Sequence, residues 1–195
     1  MRSFGGVISE LTSMAIVAMV YIICHGLTSW VVAPVQAYFL GDITIFASLL
    51  YLPHGVRVLS TWLMGWRAVA PLAVGALLSE IIFTEADVRA MMEHVLLFSI
   101  AVGALSAWVS FEILRLFGAS AYVGAGRRMN WRQLLGVGIL ASVLNSVGQT
   151  FVFAGVISPG DQLTVIVTYA AGDMLGQALS MVALMFLFRV LRHTS

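Results

Sequence analysis

The chain contains 195 residues, of which 61% are hydrophobic and 10% are charged, and its formal net charge is +1. A water-soluble domain is about half apolar and about a quarter charged, so this composition excludes an ordinary soluble globule, a disordered chain and a nucleic-acid-binding module. Because a transmembrane helix needs about 20 apolar residues, we expect an all-α polytopic membrane protein, a single bundle of about six transmembrane helices covering 1–195.

Prolines and glycines divide the apolar sequence into its predicted helices. Proline lacks a backbone N–H and its ring clashes with the preceding turn, so Pro34 and Pro53 are expected to end the first two helices. The third element is longer than one crossing requires and contains Gly65 and Pro71, which predicts a broken helix. The six helices are expected at about 11–33, 36–52, 54–83, 91–117, 131–157 and 163–190.

The arginines are distributed unevenly among the predicted loops. With the N-terminus in the cytoplasm, six crossings leave Arg89 on the outer side and bring most other arginines to the cytoplasmic face. Those at or near that face are Arg2, Arg57, Arg115, Arg127, Arg128, Arg132, Arg189 and Arg192. Since cytoplasmic loops carry an excess of basic residues, we expect a multi-pass protein with both termini in the cytoplasm.

A polar stripe follows the sixth predicted helix. Asp173 lies about ten residues into that helix, near the middle of the membrane, where an ionisable group is costly and usually faces protein or water. Spacings of three and four residues place the following side chains on the same face: Tyr169, Asp173, Gly176, Gln177 and Ser180. This face is expected to point into the bundle.

The fifth predicted helix carries a matching polar stripe formed by Ser142, Asn145, Ser146 and Gln149. A tight turn joins the fifth and sixth helices, so the two stripes are expected to face each other in an antiparallel pair. Two interpretations stay open. The side chains either hydrogen-bond across a packed helix interface or line a hydrated pocket for a ligand or an ion.

Three further residues complete the predicted ligand-binding set. Arg57 follows Pro53 and Gly55, where irregular backbone would leave free donors beside a fixed positive charge; the alternative is an arginine that extends from a helix start to the membrane surface. His54 lies beside it, and Asp42 lies about two turns into the second predicted helix. The complete predicted set is Asp173, Gln177, Tyr169, Asn145, Gln149, Arg57, His54 and Asp42.

Small residues mark surfaces where helices are expected to approach closely. Gly172 and Gly176 form a G-x-x-x-G pair, and Gly103 lies on a similar face of the fourth predicted helix. No catalytic motif is recognisable, and the histidines lack a ligand-type partner at helical spacing. We therefore predict no enzymatic activity, no metal site and no cofactor.

Several short motifs share one arrangement with a known family. The stretch 52–59 reads Leu-Pro-His-Gly-Val-Arg-Val-Leu, and it is followed by Gly-Trp-Arg at 65–67, Pro71 and Gly-Ala-Leu-Leu at 75–78. A late helix carries Gly-Asp-x-x-Gly at 172–176. In these motifs the chain resembles the MASE-type membrane-associated sensor domains that precede histidine kinases and diguanylate cyclases in bacteria.

The resemblance implies a sensor-like module of the bacterial inner membrane that receives a small ligand. Because the chain carries no output domain, we expect it to signal through a separate protein. Its expected partners are membrane lipid, another membrane protein and a small molecule, and no nucleic acid. Two alternatives are the substrate-binding subunit of a small-solute importer and an accessory or assembly subunit of a larger membrane complex.

Overall fold

A computed structural model of the protein describes residues 4–40, 48–119, 122–124, 130–154 and 162–194. Within these ranges the regular structure is helical, without strands. The α-helices are α1 (Phe4–Leu27), α2 (Ala33–Leu40), α3 (Leu52–Met64), α4 (Val69–Phe83), α5 (Ala86–Met91), α6 (Glu93–Leu116), α7 (Trp131–Val152) and α8 (Gln162–Thr194). Five helical stretches of the described chain are long and apolar enough to cross a membrane, which agrees with a multi-pass membrane protein.

The first helix does not end at Pro34. A π-helical segment, Thr28–Val32, joins α1 to α2, and the N–H of Ala33 bonds to the carbonyl of Thr28. The wider π turn gives the proline ring space over the preceding turn, so the helix continues to Leu40. The predicted end at Pro34 is therefore wrong. So is the predicted second helix at 36–52, because 48–51 is not helical and 41–47 lies outside the described residues.

The third predicted element is divided at Gly65. There α3 ends, a 3-10 segment (Gly65–Ala68) follows, and α4 begins at Val69. Gly65 has φ 61° and ψ −141°, a backbone conformation that is sterically open to glycine and strained for other residues. The break falls in the element in which it was expected.

The chain reverses direction at this break, so α3 and α4 form a helical hairpin beside the first helix. Contacts of the hairpin with that helix, in chain order, are Leu52 with Thr28, Arg57 with Tyr21, Arg67 with Glu10 and Phe83 with Trp30. The contacted positions on the first helix run from Thr28 back to Glu10 and then forward again to Trp30, so α3 and α4 run in opposite directions. With 13 residues, or about 20 Å, α3 is too short to cross a bilayer by itself.

The remaining helices alternate in direction around this hairpin. Packing pairs α1 with α4, α3 with α8, α6 with α7, and α7 with α8. One apolar cluster joins α3, α6 and α7 through Val58, Phe111 and Val137. A second cluster joins the first helix, α4 and α6, and includes Tyr21 and Leu72. The start of α1 and the end of α8 therefore lie at the end of the bundle that contains the 3-10 segment, here called the Gly65 end.

Polar contacts close the Gly65 end between α6 and α7. Tyr122 donates a hydrogen bond to Glu112 Oε1 over 2.7 Å, and Arg115 Nη1 lies 3.3 Å from Glu112 Oε2. Partial burial, and then the bond to Glu112, raise the pKa of Tyr122, so its hydroxyl stays a donor. Val123 N–H also bonds to the carbonyl of Trp62 in α3.

Candidate functional site

The polar stripes of α7 and α8 meet at Asp173. This side chain is completely buried, and its Oδ2 accepts a 2.9 Å hydrogen bond from Asn145 Nδ2. His54 Nδ1 of α3 lies 3.3 Å from the same oxygen and is also fully buried. Three helices therefore converge on one carboxylate oxygen, two of them through residues that the spacing analysis selected.

His54 faces a different group with each ring nitrogen. Its Nε2 faces the carbonyl of Gly138 at 3.2 Å, and a carbonyl only accepts, so we assign a hydrogen to Nε2. Its Nδ1 lies 3.3 Å from Asp173 Oδ2 and has no hydrogen-bond partner among the described residues. The ring therefore connects α3 to α7 and α8 inside the bundle.

Other members of the two stripes bond across helix interfaces. Gln149 Nε2 donates to the carbonyl of Ser99 in α6 over 3.1 Å, and Ser142 Oγ donates to the carbonyl of Ala170 in α8 over 3.2 Å. Gln177 Nε2 donates to the carbonyl of Leu134 over 2.9 Å. These bonds agree with the interface interpretation of the stripes.

The predicted interface glycines accommodate parts of this chain rather than a separate helix. A side chain at Gly172 or Gly176 would overlap the backbone carbonyl of Ser48 or of Tyr51. Tyr51 N–H also donates to the carbonyl of Gly172 over 3.0 Å, which holds the non-helical segment 48–51 against the middle of α8. Irregular backbone at this depth is tolerated because protein covers it. Gly103 of α6 faces the guanidinium of Arg57 instead of a helix.

Arg57 is a buried cation without a carboxylate partner. Its side chain lies inside the bundle with 5% of the residue exposed, and its Nη2 donates to Tyr21 Oη over 2.8 Å and to Tyr51 Oη over 3.4 Å. The guanidinium carbon also lies 5.6 Å and 5.2 Å from the centres of the same two rings. Among the described residues no carboxylate oxygen lies within 4.0 Å of it. It does not extend to the membrane surface, and it does not pair with Asp173.

A cavity of about 320 Å³ opens beside Arg57. Of the predicted ligand-binding residues, Arg57, Asn145, Gln149 and Tyr169 line it, whereas Asp173, His54 and Gln177 lie behind its wall. Asp42 lies outside the described residues. The cavity is therefore enclosed by several helices rather than by α7 and α8 alone, and Asn145 is the link between its wall and the buried carboxylate.

Some lining residues were missed or underestimated from the sequence. Tyr21 and His25 come from the first helix, Tyr51 from the segment before α3, and Glu80 from α4. Tyr21 and His25 are four residues apart on an otherwise aliphatic helix, a signal that could have selected them. Glu80 reaches the cavity because the chain reverses at Gly65 and turns α4 toward it, and hydropathy does not predict that reversal.

No cluster of three or more metal-binding side chains occurs within the described ranges. The arrangement is instead a polar cavity with one arginine and one glutamate on its wall, next to the buried His54 and Asp173 side chains. Comparison of the chain with family models, curated proteins and solved structures gives no match.

Proposed function

We propose that this chain is a ligand-binding membrane module whose cavity holds a small molecule through an anionic group at Arg57. The observation that carries the proposal is the guanidinium itself, which is buried on a cavity wall and has no counter-ion in the part of the chain that the structure describes. Removing a charge from water costs several kcal/mol unless a partner compensates it. A bound carboxylate or phosphate would supply that partner.

The donors of Arg57 are available for such a ligand. The two tyrosine hydroxyls occupy Nη2, while Nε has no hydrogen-bond partner. A planar guanidinium binds carboxylate and phosphate oxygens through two parallel bonds, which a single-point cation does not do. The cavity volume lies at the lower end of the range of about 300 to 1,000 Å³ found for small-molecule sites. A metabolite-sized anion is the ligand that fits.

The signalling part of the proposal follows from the helices to which the cavity residues belong. Arg57 belongs to α3, which contacts α8, the first helix, α6 and α7, while Asn145 belongs to α7 and Glu80 to α4. A ligand held by these residues bridges three helices and changes how the hairpin packs. In the orientation favoured by the arginines, the change reaches the cytoplasmic face, where a separate protein of the inner membrane receives it, as the resemblance to sensor domains suggests.

Ligand-dependent thermal unfolding of the purified full chain tests the proposal. The probes are a panel of small monocarboxylates, dicarboxylates, amino acids and inorganic phosphate. At 100 times its Kd, a ligand stabilises the folded state by about 2.7 kcal/mol, which raises the unfolding midpoint. We expect at least one probe to do so for the unmodified chain, and R57M to lose the response.

Two variants make the result specific. R57K keeps the charge but loses the planar donors, so we expect at least tenfold weaker binding. R115M removes a mostly exposed arginine at the Gly65 end, away from the cavity, and should respond as the unmodified chain does. The proposal is wrong if no probe raises the midpoint, or if R57M responds as strongly as R115M.

The importer alternative keeps one supporting observation, because a cavity that receives a solute inside the bundle also suits a substrate-capturing subunit. Deletion of the gene would then abolish uptake of the ligand, whereas loss of a sensor would change transcription and leave accumulation intact. The accessory-subunit alternative has no such support, because the small-residue surfaces at Gly103, Gly172 and Gly176 contact other parts of this chain.

A further inference from the structure

We infer that the ligand is a zwitterion, an aminocarboxylate whose ammonium group binds Glu80 while its carboxylate binds Arg57. This inference rests on the proposed function and names the chemical class of its ligand. Two opposite charges line one cavity, and neither has a charged partner among the described residues.

Glu80 is a half-buried carboxylate with no cation paired to it in the described ranges. Its Oε2 accepts a 2.6 Å hydrogen bond from Thr84 Oγ1, in the residue that follows α4. The nearby Arg89 does not pair with that carboxylate. Its Nη1 instead donates to backbone carbonyls at the end of α4, with the shortest bond, 2.9 Å, to Ile81. The acid is therefore left facing the cavity with capacity for a further donor.

The two charges reach one small cavity from different helices. Arg57 belongs to α3 and Glu80 to α4, and both line the cavity of about 320 Å³. An aminocarboxylate carries its two opposite charges on one small molecule, so a single ligand of metabolite size can contact both groups.

Charge balance favours a zwitterion over the other anions that Arg57 could bind. A monocarboxylate would neutralise the arginine but leave Glu80 without a cation, and a dicarboxylate would bring a second negative charge toward Glu80. An amine would neutralise Glu80 but leave Arg57 without an anion. A zwitterion compensates both groups and adds no net charge to a buried site, which is the least costly arrangement in a medium of low polarity.

The test compares molecules that differ in a single charged group. Full-length protein in detergent is titrated with L-alanine, propionate and ethylamine, and with L-phenylalanine, phenylpropionate and phenylethylamine, by isothermal titration calorimetry; the other common L-amino acids follow in the same format. We expect at least one amino acid to bind tenfold or more tightly than the carboxylate that lacks its ammonium group. Its amine counterpart should bind more weakly still, because the carboxylate contact at Arg57 is lost.

Variants connect the preference to Glu80. E80Q removes the negative charge, while its amide oxygen can still accept the hydrogen bond from Thr84. The tenfold preference for the amino acid over the matching carboxylate should therefore fall to less than twofold. E93Q is the matched control, because Glu93 is exposed and does not line the cavity, and it should keep the full preference.

Failure of this inference is distinct from failure of the proposed function. If carboxylates bind in an Arg57-dependent manner but amino acids bind no more tightly, the zwitterion assignment is overturned and the anion site stands. The same conclusion follows if E80Q and E93Q keep equal preferences. If no carboxylate, amino acid or inorganic phosphate binds, both the zwitterion assignment and the proposed anion site are overturned. If phosphate alone binds and R57M loses it, only the zwitterion assignment is overturned.

Discussion

At the scale of single residues, the site contains two buried ionisable groups with different kinds of partner. Asp173 accepts a hydrogen bond from Asn145 and lies 3.3 Å from His54, while its Oδ1 has no hydrogen-bond partner among the described residues. Arg57 bonds to two phenol hydroxyls and, within the same part of the chain, to no acid. The first arrangement stabilises the junction of α3, α7 and α8, and the second leaves a positive charge available to a ligand.

The first residue-scale prediction concerns D173N. An amide oxygen at the position of Oδ2 would accept from Asn145 but leave the amide nitrogen at the position of Oδ1, where no described residue offers a hydrogen-bond partner. An amide nitrogen at the position of Oδ2 would oppose the donor of Asn145. One buried group is left unsatisfied in either orientation, which costs about 1–3 kcal/mol. We expect a lower midpoint of thermal unfolding than for the exposed-site control D87N. Equal midpoints for the two variants would show that the cluster is not held as described.

Gly103 offers a second test that leaves every charge in place. A Cβ at Gly103 would lie 2.5 Å from Arg57 Nη2, so G103A must displace the guanidinium. We expect anion binding to weaken at least tenfold in titration calorimetry. G136A is the matched control in a neighbouring helix, because no atom lies within 4 Å of a Cβ there. Unchanged affinity in G103A would place the binding group elsewhere.

At the scale of elements, prolines and glycines mark the places where helices become irregular, but they do not specify what form the irregularity takes. Pro34 coincides with a π-helical segment instead of a helix end, whereas Gly65 reverses the chain. Local sequence indicates that a helix is perturbed there. Whether the perturbation bends, widens or reverses it depends on packing against residues distant in the chain, such as Glu10 beside Arg67. The sequence therefore predicted a helical bundle but not its hairpin.

The hairpin turn gives an element-scale prediction. Gly65 has φ 61° and ψ −141°, and a residue with a Cβ is strained there by about 1–3 kcal/mol. We expect G65A to lower the midpoint of thermal unfolding, although Gly to Ala within a helix normally stabilises. G136A, inside α7, should keep or raise the midpoint. A rise in G65A equal to that in G136A would argue against a reversal at this position.

At the scale of the whole molecule, several helices surround a cavity whose wall is formed by residues far apart in the sequence. Spacing within single helices was enough to select Asn145, Gln149 and Tyr169, because a polar stripe on an apolar helix is a local signal. It could not select Tyr51 or Glu80, which reach the cavity only after the hairpin folds against the first helix. The contact of Arg57 with Tyr21 spans 36 positions and has no local signature.

Orientation in the membrane is the prediction that belongs to this scale. The Gly65 end carries the start of α1 and the end of α8, and the arginine distribution predicts that it faces the cytoplasm. In a C24S background, a cysteine at Asp87 should react with an impermeant maleimide in intact cells, and a cysteine at Gly118 should react only after lysis. The reverse labelling pattern would invert the orientation.

The central claim is that Arg57 receives an anionic group inside the bundle. An experimental structure of the full chain with the probe that binds most tightly tests it directly. We predict density for the probe in the cavity, with a carboxylate or phosphate oxygen within hydrogen-bond distance of the Arg57 guanidinium. A bound probe away from Arg57, or an Arg57 side chain paired with an acidic residue of this chain, would contradict the account.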